Sequence, residues 1–246
     1  MEIKQAFTHN LLKLIKIFSC IFKIENPLNK NKYKLSFNND TMDFEYSPQW
    51  YDISYHLGRI GIDKKEFSEI REQYEAAGYR DRFESVFSKV DVPATPINWL
   101  EVGCHLGLTS YWIGTKYPKS QLYMLDFSEQ SIQFCKRKFP YKDRAVIWQA
   151  SVEDIRLDGS DFSKFFDFMT CLDVTEHLPD QVYQKMLKEL FRVCKIGGHL
   201  VVMQGNGPSV EHIHVLPEKQ LVSDFLKSGF VLEKRLPARH YLFLKP

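Results

Sequence analysis

From about Ile97 to the end of the chain, short apolar runs alternate with segments whose apolar residues recur every three or four positions. The runs INWLEVG, QLYMLDF, AVIWQAS, FDFMTCLD and HLVVMQ have the length and composition of buried strands. Between them, LTSYWIGTKY, SEQSIQFCKRKF and DQVYQKMLKELFRVCK carry apolar residues at helical spacing. Such alternation predicts a parallel sheet with helices on both faces. The end of the chain breaks the rhythm. A helical pattern over PEKQLVSDFLKSGF is followed by FVLEKRL and HYLFLKP, joined only by PAR. This predicts a terminal hairpin that lays an antiparallel edge strand on the parallel sheet.

Upstream the pattern is less regular. Residues from Ser47 to about Val90 are helical in spacing, polar-faced and rich in Tyr and Arg. They predict a helical cap over 47–96, serving either as a lid or as a structural extension. NLLKLIKIFSCIFKI, residues 10–24, is apolar but carries Lys13, Lys16 and Lys23. A bilayer-spanning helix needs roughly 20 apolar residues, so this segment is too short and too charged. No small-residue cleavage site follows it, which argues against a signal peptide. It reads as a basic amphipathic helix that packs on the domain or pairs subunits of a homodimer. Contact with a membrane surface is the alternative. ENPLNKNKYKLSFNND reads as a polar linker. The chain thus divides into an amphipathic helix and linker (1–46), a helical cap (47–96) and an α/β domain (97–246).

Composition narrows the chemistry. The chain has 246 residues, 44% of them hydrophobic, enough for a packed core. Its 33 basic and 31 acidic residues are interspersed and leave a net charge of +2. That balance argues against a nucleic-acid partner bound by phosphate neutralisation. Five cysteines without a CxxC pair form neither a disulfide framework nor a zinc pattern, so a reducing, cytoplasmic location is expected.

In a doubly wound sheet, ligands bind beyond the carboxyl ends of the strands. The first strand runs into WLEVGCHLGLTS, with Glu101, Gly103 and Gly107 and with His105 where a third glycine is usual. A side chain at position 105 costs little if its φ is negative and more if it is positive. The second strand ends in Asp126, 19 positions after Gly107, where a carboxylate can accept hydrogen bonds from both hydroxyls of a ribose. A full G-x-G-x-x-G is absent, which argues against a nicotinamide-dependent reductase.

With these segments in view, the chain from about Asn98 to Pro246 resembles a class I S-adenosylmethionine-dependent methyltransferase. LEVGCHLG resembles the family's glycine motif, LDFSEQSI its second motif, and ASVEDI its adenine-contacting segment. FDFMTCLDVTEHLPD resembles the fourth strand and its loop, and CKIGGHLVV the turn before the fifth strand. HIHVLPEKQLVSDFLKSGF resembles the helix before the final hairpin in ubiquinone-biosynthesis-type O-methyltransferases. The resemblance implies a Rossmann-like methyltransferase fold, a mostly parallel seven-stranded sheet with an antiparallel C-terminal hairpin strand, and S-adenosylmethionine as cofactor.

Carried over, Glu101 orients the cofactor's amino group through water or nearby amides, Gly103 and His105 line its methionine moiety, Gly107 completes the cofactor-binding turn, and Asp126 holds the ribose. Phe127 and Ser128 flank the adenine, Ser151, Val152 and Glu153 close its other edge, and Leu172 faces the sulfonium. Arg80 is the candidate cation for the cofactor's carboxylate, with Arg82 as the other candidate and Tyr51, Tyr55 and Tyr79 as helpers. His177 is the candidate general base, because imidazole accepts a proton near neutral pH; a helix-entry histidine is the competing reading. Tyr55, Asp173, His212 and His214 are candidates for the acceptor pocket, and since His212 and His214 alternate on an extended segment, only one should face it. Asp173, Glu176 and His177 with His212 or His214 also suit a divalent metal, but their spacing is permissive and no metal is expected. The acceptor is expected to be a small molecule: a hydroxyl of a sugar or glycan precursor, a quinone-like compound or a secondary metabolite. An inactive methyltransferase-like interaction module and an N-methyltransferase of small amines are the alternatives. No NPPY or DPPY follows the fourth strand, which argues against methylation of DNA bases or glutamine side chains.

Overall fold

The computed structural model describes residues 37–38, 41–42, 46, 52, 65–206 and 212–246. The expected amphipathic helix at 10–24, Tyr51 and Tyr55 lie outside the described residues. A two-residue antiparallel ladder pairs Phe37–Asn38 with Thr41–Met42. Within the expected cap lie helices α1 (Phe67–Ala76) and α2 (Tyr79–Phe87), separated by Gly78 at φ +81°.

The rest is an alternating α/β unit. Its strands are β1 (Asn98–Val102), β2 (Gln121–Asp126), β3 (Ala145–Gln149), β4 (Phe166–Leu172), β5 (Cys194–Met203), β6 (Val231–Leu236) and β7 (His240–Leu244). Its helices are α3 (Leu108–Lys116), α4 (Glu129–Lys138), α5 (Asp180–Val193) and α6 (Glu218–Lys227). The strands form one seven-stranded sheet in the order β3-β2-β1-β4-β5-β7-β6. The five strands from β3 to β5 are parallel, and β7 runs against both of its neighbours.

Two details differ from the sequence expectation. The reversed strand is not at the edge: β7 inserts between β5 and β6, so the hairpin returns into the sheet. A helical crossover through α6 delivers β6 two strand positions beyond β5, and β7 fills the gap. The strand expected at HLVVMQ begins at Cys194, because the Lys-Ile-Gly-Gly turn is itself paired. Gly197 N donates to the Lys245 carbonyl and Lys245 N to the Gly198 carbonyl, at 2.8 and 2.9 Å.

The sheet separates two cores, as period-two side chains require. Leu100 and Val102 face a cluster with Tyr183, Met186 and Leu190 of α5 and Phe225 of α6. Trp99 faces the other cluster, with Phe67, Phe83, Phe87, Trp112 and Ile132 of α1 to α4. The helices expected as a cap therefore share a core with the sheet, and Trp99 stacks on Phe168 at 4.2 Å within it. Among the described residues, no helix is long and apolar enough to cross a membrane.

Candidate active site

The parallel register aligns the strand ends, with Val102 beside Leu125, Asp126 beside Gln149, and Leu172 beside Met203. Met203 in turn faces His240, the first residue of β7. The candidate residues sit along this edge. After β1 the chain enters left-handed conformation three times, at Gly103 (φ +72°), His105 (φ +47°) and Gly107 (φ +78°). The amides of Gly103 and Cys104 both donate to the Leu125 carbonyl at 2.9 Å, which folds the turn over β2 and into α3.

His105 thus has the costly sign of φ. Its amide donates to Asp126 Oδ2 at 2.7 Å, a charge-assisted bond that holds the residue in place. A left-handed residue with a Cβ costs about 1–2 kcal/mol, and the extra freedom of glycine in the unfolded chain returns about 0.4–1 kcal/mol of any gain. His105→Gly should therefore stabilise the protein by roughly 0.5–1 kcal/mol in urea unfolding. Its cofactor affinity should stay within a few-fold of wild type by calorimetry. A lower stability would show that the imidazole makes contacts worth more than the strain.

Two carboxyls lie under this turn. Asp126 is 8% exposed and accepts from the amides of His105 and Ser128, the latter at 2.8 Å. Burial raises its pKa to about 6, against the lowering effect of those amides. Glu101 is 6% exposed and accepts from the Ser110 hydroxyl. Burial raises its pKa to about 8. An acid raised in this way binds more protons folded than unfolded, so stability falls as pH rises from its unfolded value toward its folded one. For Glu101 that window runs from 4.5 to about 8. Glu101→Gln should stabilise the ligand-free protein by about 4 kcal/mol at pH 8 and by about 1 kcal/mol at pH 5. The same change should weaken cofactor binding about tenfold. Melting curves at the two pH values, with calorimetry, check both signs; a Gln variant destabilised at pH 8 would refute the burial account.

After β2, Ser128 caps α4 by accepting from Ser131 N at 3.1 Å, and the Phe127 carbonyl accepts from Gln149 Nε2 at 3.1 Å. The Phe127 ring is stacked with Tyr46, centroids 4.7 Å apart. Ser151 accepts from Glu153 N at 3.4 Å, and Glu153 pairs with Lys185 at 3.0 Å. Val152 is buried in the α5–α6 core beside Trp148 and Ile155, so only its backbone is left for a ligand edge. Leu172 is half-buried at the end of β4.

The arginine expectation changes. Arg80 points to α1, 3.6 Å from Glu75, and its side chain is 54% exposed. Arg82, two positions on, turns to the strand ends, 3.3 Å from Asp173, with its guanidinium 5.0 Å from the Tyr79 ring. Two residues along a helix are about 200° apart around its axis, so only one arginine can face the sheet edge. That one is Arg82.

At the end of β4, Asp173 has φ +54° and its amide donates to the Met203 carbonyl at 3.1 Å. A single 3-10 turn, Thr175–His177, then carries Glu176 and His177. Glu176 is fully buried; Oε1 accepts from Gly205 N at 2.7 Å, and Oε2 has no hydrogen-bond partner among the described residues. Burial raises the Glu176 pKa to about 8. His177 meets His212 edge-on at 5.0 Å, while His214 turns away to Asp180 at 3.1 Å and packs on Tyr183. The alternation on the extended segment thus sends His212 alone to the histidine pair. Glu176, His177 and His212 offer ligand atoms within 4.8 Å of one another, a set that suits a divalent ion.

Other residues of the edge carry no local signal. Gln204 is buried and ties the segments after β4 and β5 together: Nε2 donates to Thr175 Oγ1 and to the His214 carbonyl, each at 3.1 Å, and Oε1 accepts from Leu216 N at 2.9 Å. His240 is buried beside the strand ends, and burial lowers its pKa to about 4. Tyr46 and Asp52 reach the end of β2 from far upstream. A glutamine after a strand and a lone aspartate look ordinary in sequence, because their partners lie on other segments.

Residues 100–200 match the family model of a methyltransferase domain. The fold is the Rossmann-like fold of methyltransferases. A chain from the complex between the Haloferax volcanii Trm112 methyltransferase activator and a methyltransferase superposes at TM-score 0.57, with 12% identity, 74% of this chain and 98% of that one covered. Phosphoethanolamine N-methyltransferase 2 of Haemonchus contortus, solved with S-adenosyl-L-methionine, superposes at TM-score 0.51 with 14% identity, covering 61% of this chain and 37% of that one. In sequence, the tRNA N(3)-methylcytidine methyltransferase of Schizosaccharomyces pombe is 30% identical over 147 residues, 56% of this chain and 58% of that protein. This chain therefore spans little more than half the length of that curated relative.

Proposed function

We propose that this protein is an S-adenosylmethionine-dependent methyltransferase acting on a hydroxyl of a small, polar acceptor, with an acceptor end arranged as in ubiquinone-type O-methyltransferases. The observation that carries the proposal is the single strand edge. On it, the left-handed glycine turn, Asp126 and Glu101 adjoin a paired imidazole site. When bound, the cofactor supplies an electrophilic methyl group on a sulfonium. The residues present suit it. Glycine turns admit close approach of a ligand, and each oxygen of the Asp126 carboxylate keeps lone pairs beyond the one amide it accepts. Glu101 offers a buried carboxylate to the cationic amine, and the acceptor would lie over Leu172, between Arg82 and the histidines. His177 would take the acceptor's proton, and its neighbour His212 would confine the acceptor. Positioning of this kind accounts for much of the rate in methyl transfer.

A second reading, an RNA acceptor, is favoured by the Schizosaccharomyces pombe relative, whose name gives tRNA as its substrate. It stands against the near-neutral charge balance of this chain. Calorimetry with S-adenosylhomocysteine tests the cofactor: binding in the micromolar range is expected, and the absence of heat at millimolar ligand would favour an inactive interaction module. Tritiated methyl transfer from S-adenosylmethionine then separates acceptors. Labelling of a phenol or nucleotide sugar supports the first reading, and labelling of tRNA alone supports the second.

A further inference from the structure

Asp52 reaches the end of β2 from a segment 74 residues away in sequence. Its Oδ1 accepts from the Ser128 hydroxyl and, at 3.4 Å, from Gln130 N. Ser128 also donates its own amide to Asp126 Oδ1 at 2.8 Å. The amide and hydroxyl of one residue therefore anchor two carboxylates side by side. Beside them, Tyr46 stacks on Phe127 at 4.7 Å and 19°, so a second residue of the same upstream region packs at this strand end.

Capping of α4 is a weak explanation for Asp52. Ser128 already caps the helix by accepting from Ser131 N, and the remaining amide lies at the long limit from Asp52. Meanwhile the Asp52 charge adds to the burial that already raises the pKa of Asp126, and burial raises the pKa of Asp52 itself. Asp126 is held by the amides of Ser128 and His105, and Asp52 by Ser128 and Gln130 through Oδ1; the lone pairs left on these two neighbouring carboxylates match two adjacent hydroxyl donors. Such donors relieve the like-charge repulsion by hydrogen bonding to both.

We infer that Asp52 is a specificity-determining residue of the cofactor site, receiving one hydroxyl of the ribose cis-diol while Asp126 receives the other. The inference rests on the S-adenosylmethionine reading above. Full-length wild type and Asp52→Ala are titrated by calorimetry with S-adenosylhomocysteine and its 2′-deoxy and 3′-deoxy analogues. Wild type should bind S-adenosylhomocysteine and discriminate against both analogues by about tenfold. In Asp52→Ala, S-adenosylhomocysteine should weaken about five- to tenfold, and the penalty for one analogue should vanish. Asp52→Asn, which keeps a neutral acceptor, should restore part of the discrimination and serves alone if the Ala variant does not fold.

Unchanged affinity and discrimination in the variants would overturn the inference and leave the cofactor reading intact. So would an equal loss for all three ligands, the signature of a merely structural role, or tighter binding by the variant. Failure of the wild type to bind S-adenosylhomocysteine would instead remove the cofactor reading and the inference with it.

Discussion

Gly103→Val should abolish cofactor binding, with at least a hundredfold weaker S-adenosylhomocysteine dissociation constant, about 3 kcal/mol. Two independent effects converge at this position. Gly103 has φ +72°, a conformation in which a β-branched residue is a genuine outlier. A Cβ placed there would also lie 2.5 Å from Val174 Cγ2, so either the turn or Val174 must move. Val174 leads directly into the Thr175–His177 turn, so the shift would spread from the turn after β1 to the turn after β4. A control separates strain from site geometry. Gly197 has φ +75°, but a Cβ added there would meet no atom within 4 Å, and it lies at the other end of β5. Gly197→Val should lower the melting temperature and leave binding within about twofold. Comparable binding by wild type and Gly103→Val would show that this turn is not the site.

His177→Gln should lower kcat for whichever acceptor is labelled by about 10²–10⁴-fold, the range for loss of a general base. Its S-adenosylhomocysteine affinity should change by less than about threefold. The split follows from position. His177 follows β4, its amide donates to the Val174 carbonyl at 3.0 Å, and its side chain is 14% exposed, so the ring is shielded yet reachable. Glu176, fully buried, lies 4.0 Å from His177 Nε2, and the His212 ring packs edge-on against that of His177. Glutamine retains the size and a hydrogen-bonding end but cannot accept a proton near neutral pH. Single-turnover rates and equilibrium titrations measure the two quantities separately. A variant with unchanged kcat would leave His177 as the helix-entry residue of the 3-10 turn and move the base to another group.

The repeated alternation of apolar runs and helical spacing was enough to specify an α/β sheet, because strand and helix periods are local properties of the chain. The same locality made the glycine turn and Asp126 legible: close approach of backbone to ligand demands glycine, and the spacing to the next strand end is set by one helix. The terminal hairpin was legible too, since three residues between two strands leave no other connection. Its insertion beside β5 was not, because strand order depends on which edges remain available once the sheet is built.

Side-chain direction at the site followed the same division. The choice of Arg82 over Arg80 required the rotation of α2 about its axis, and that of His212 over His214 required the docking of the loop after β5. The cost at His105 required its φ. Asp52, Tyr46 and Gln204 were invisible in sequence, since each acts through a partner on a distant segment: Ser128, Phe127 and Thr175 respectively. The element types, the glycine turn and the acid at the end of β2 are written locally along the chain, because they arise from short-range periodicity and backbone freedom. Only the tertiary structure decided which arginine, histidine and aspartate share the edge, because those contacts are set by packing between segments that the chain's local rules leave independent.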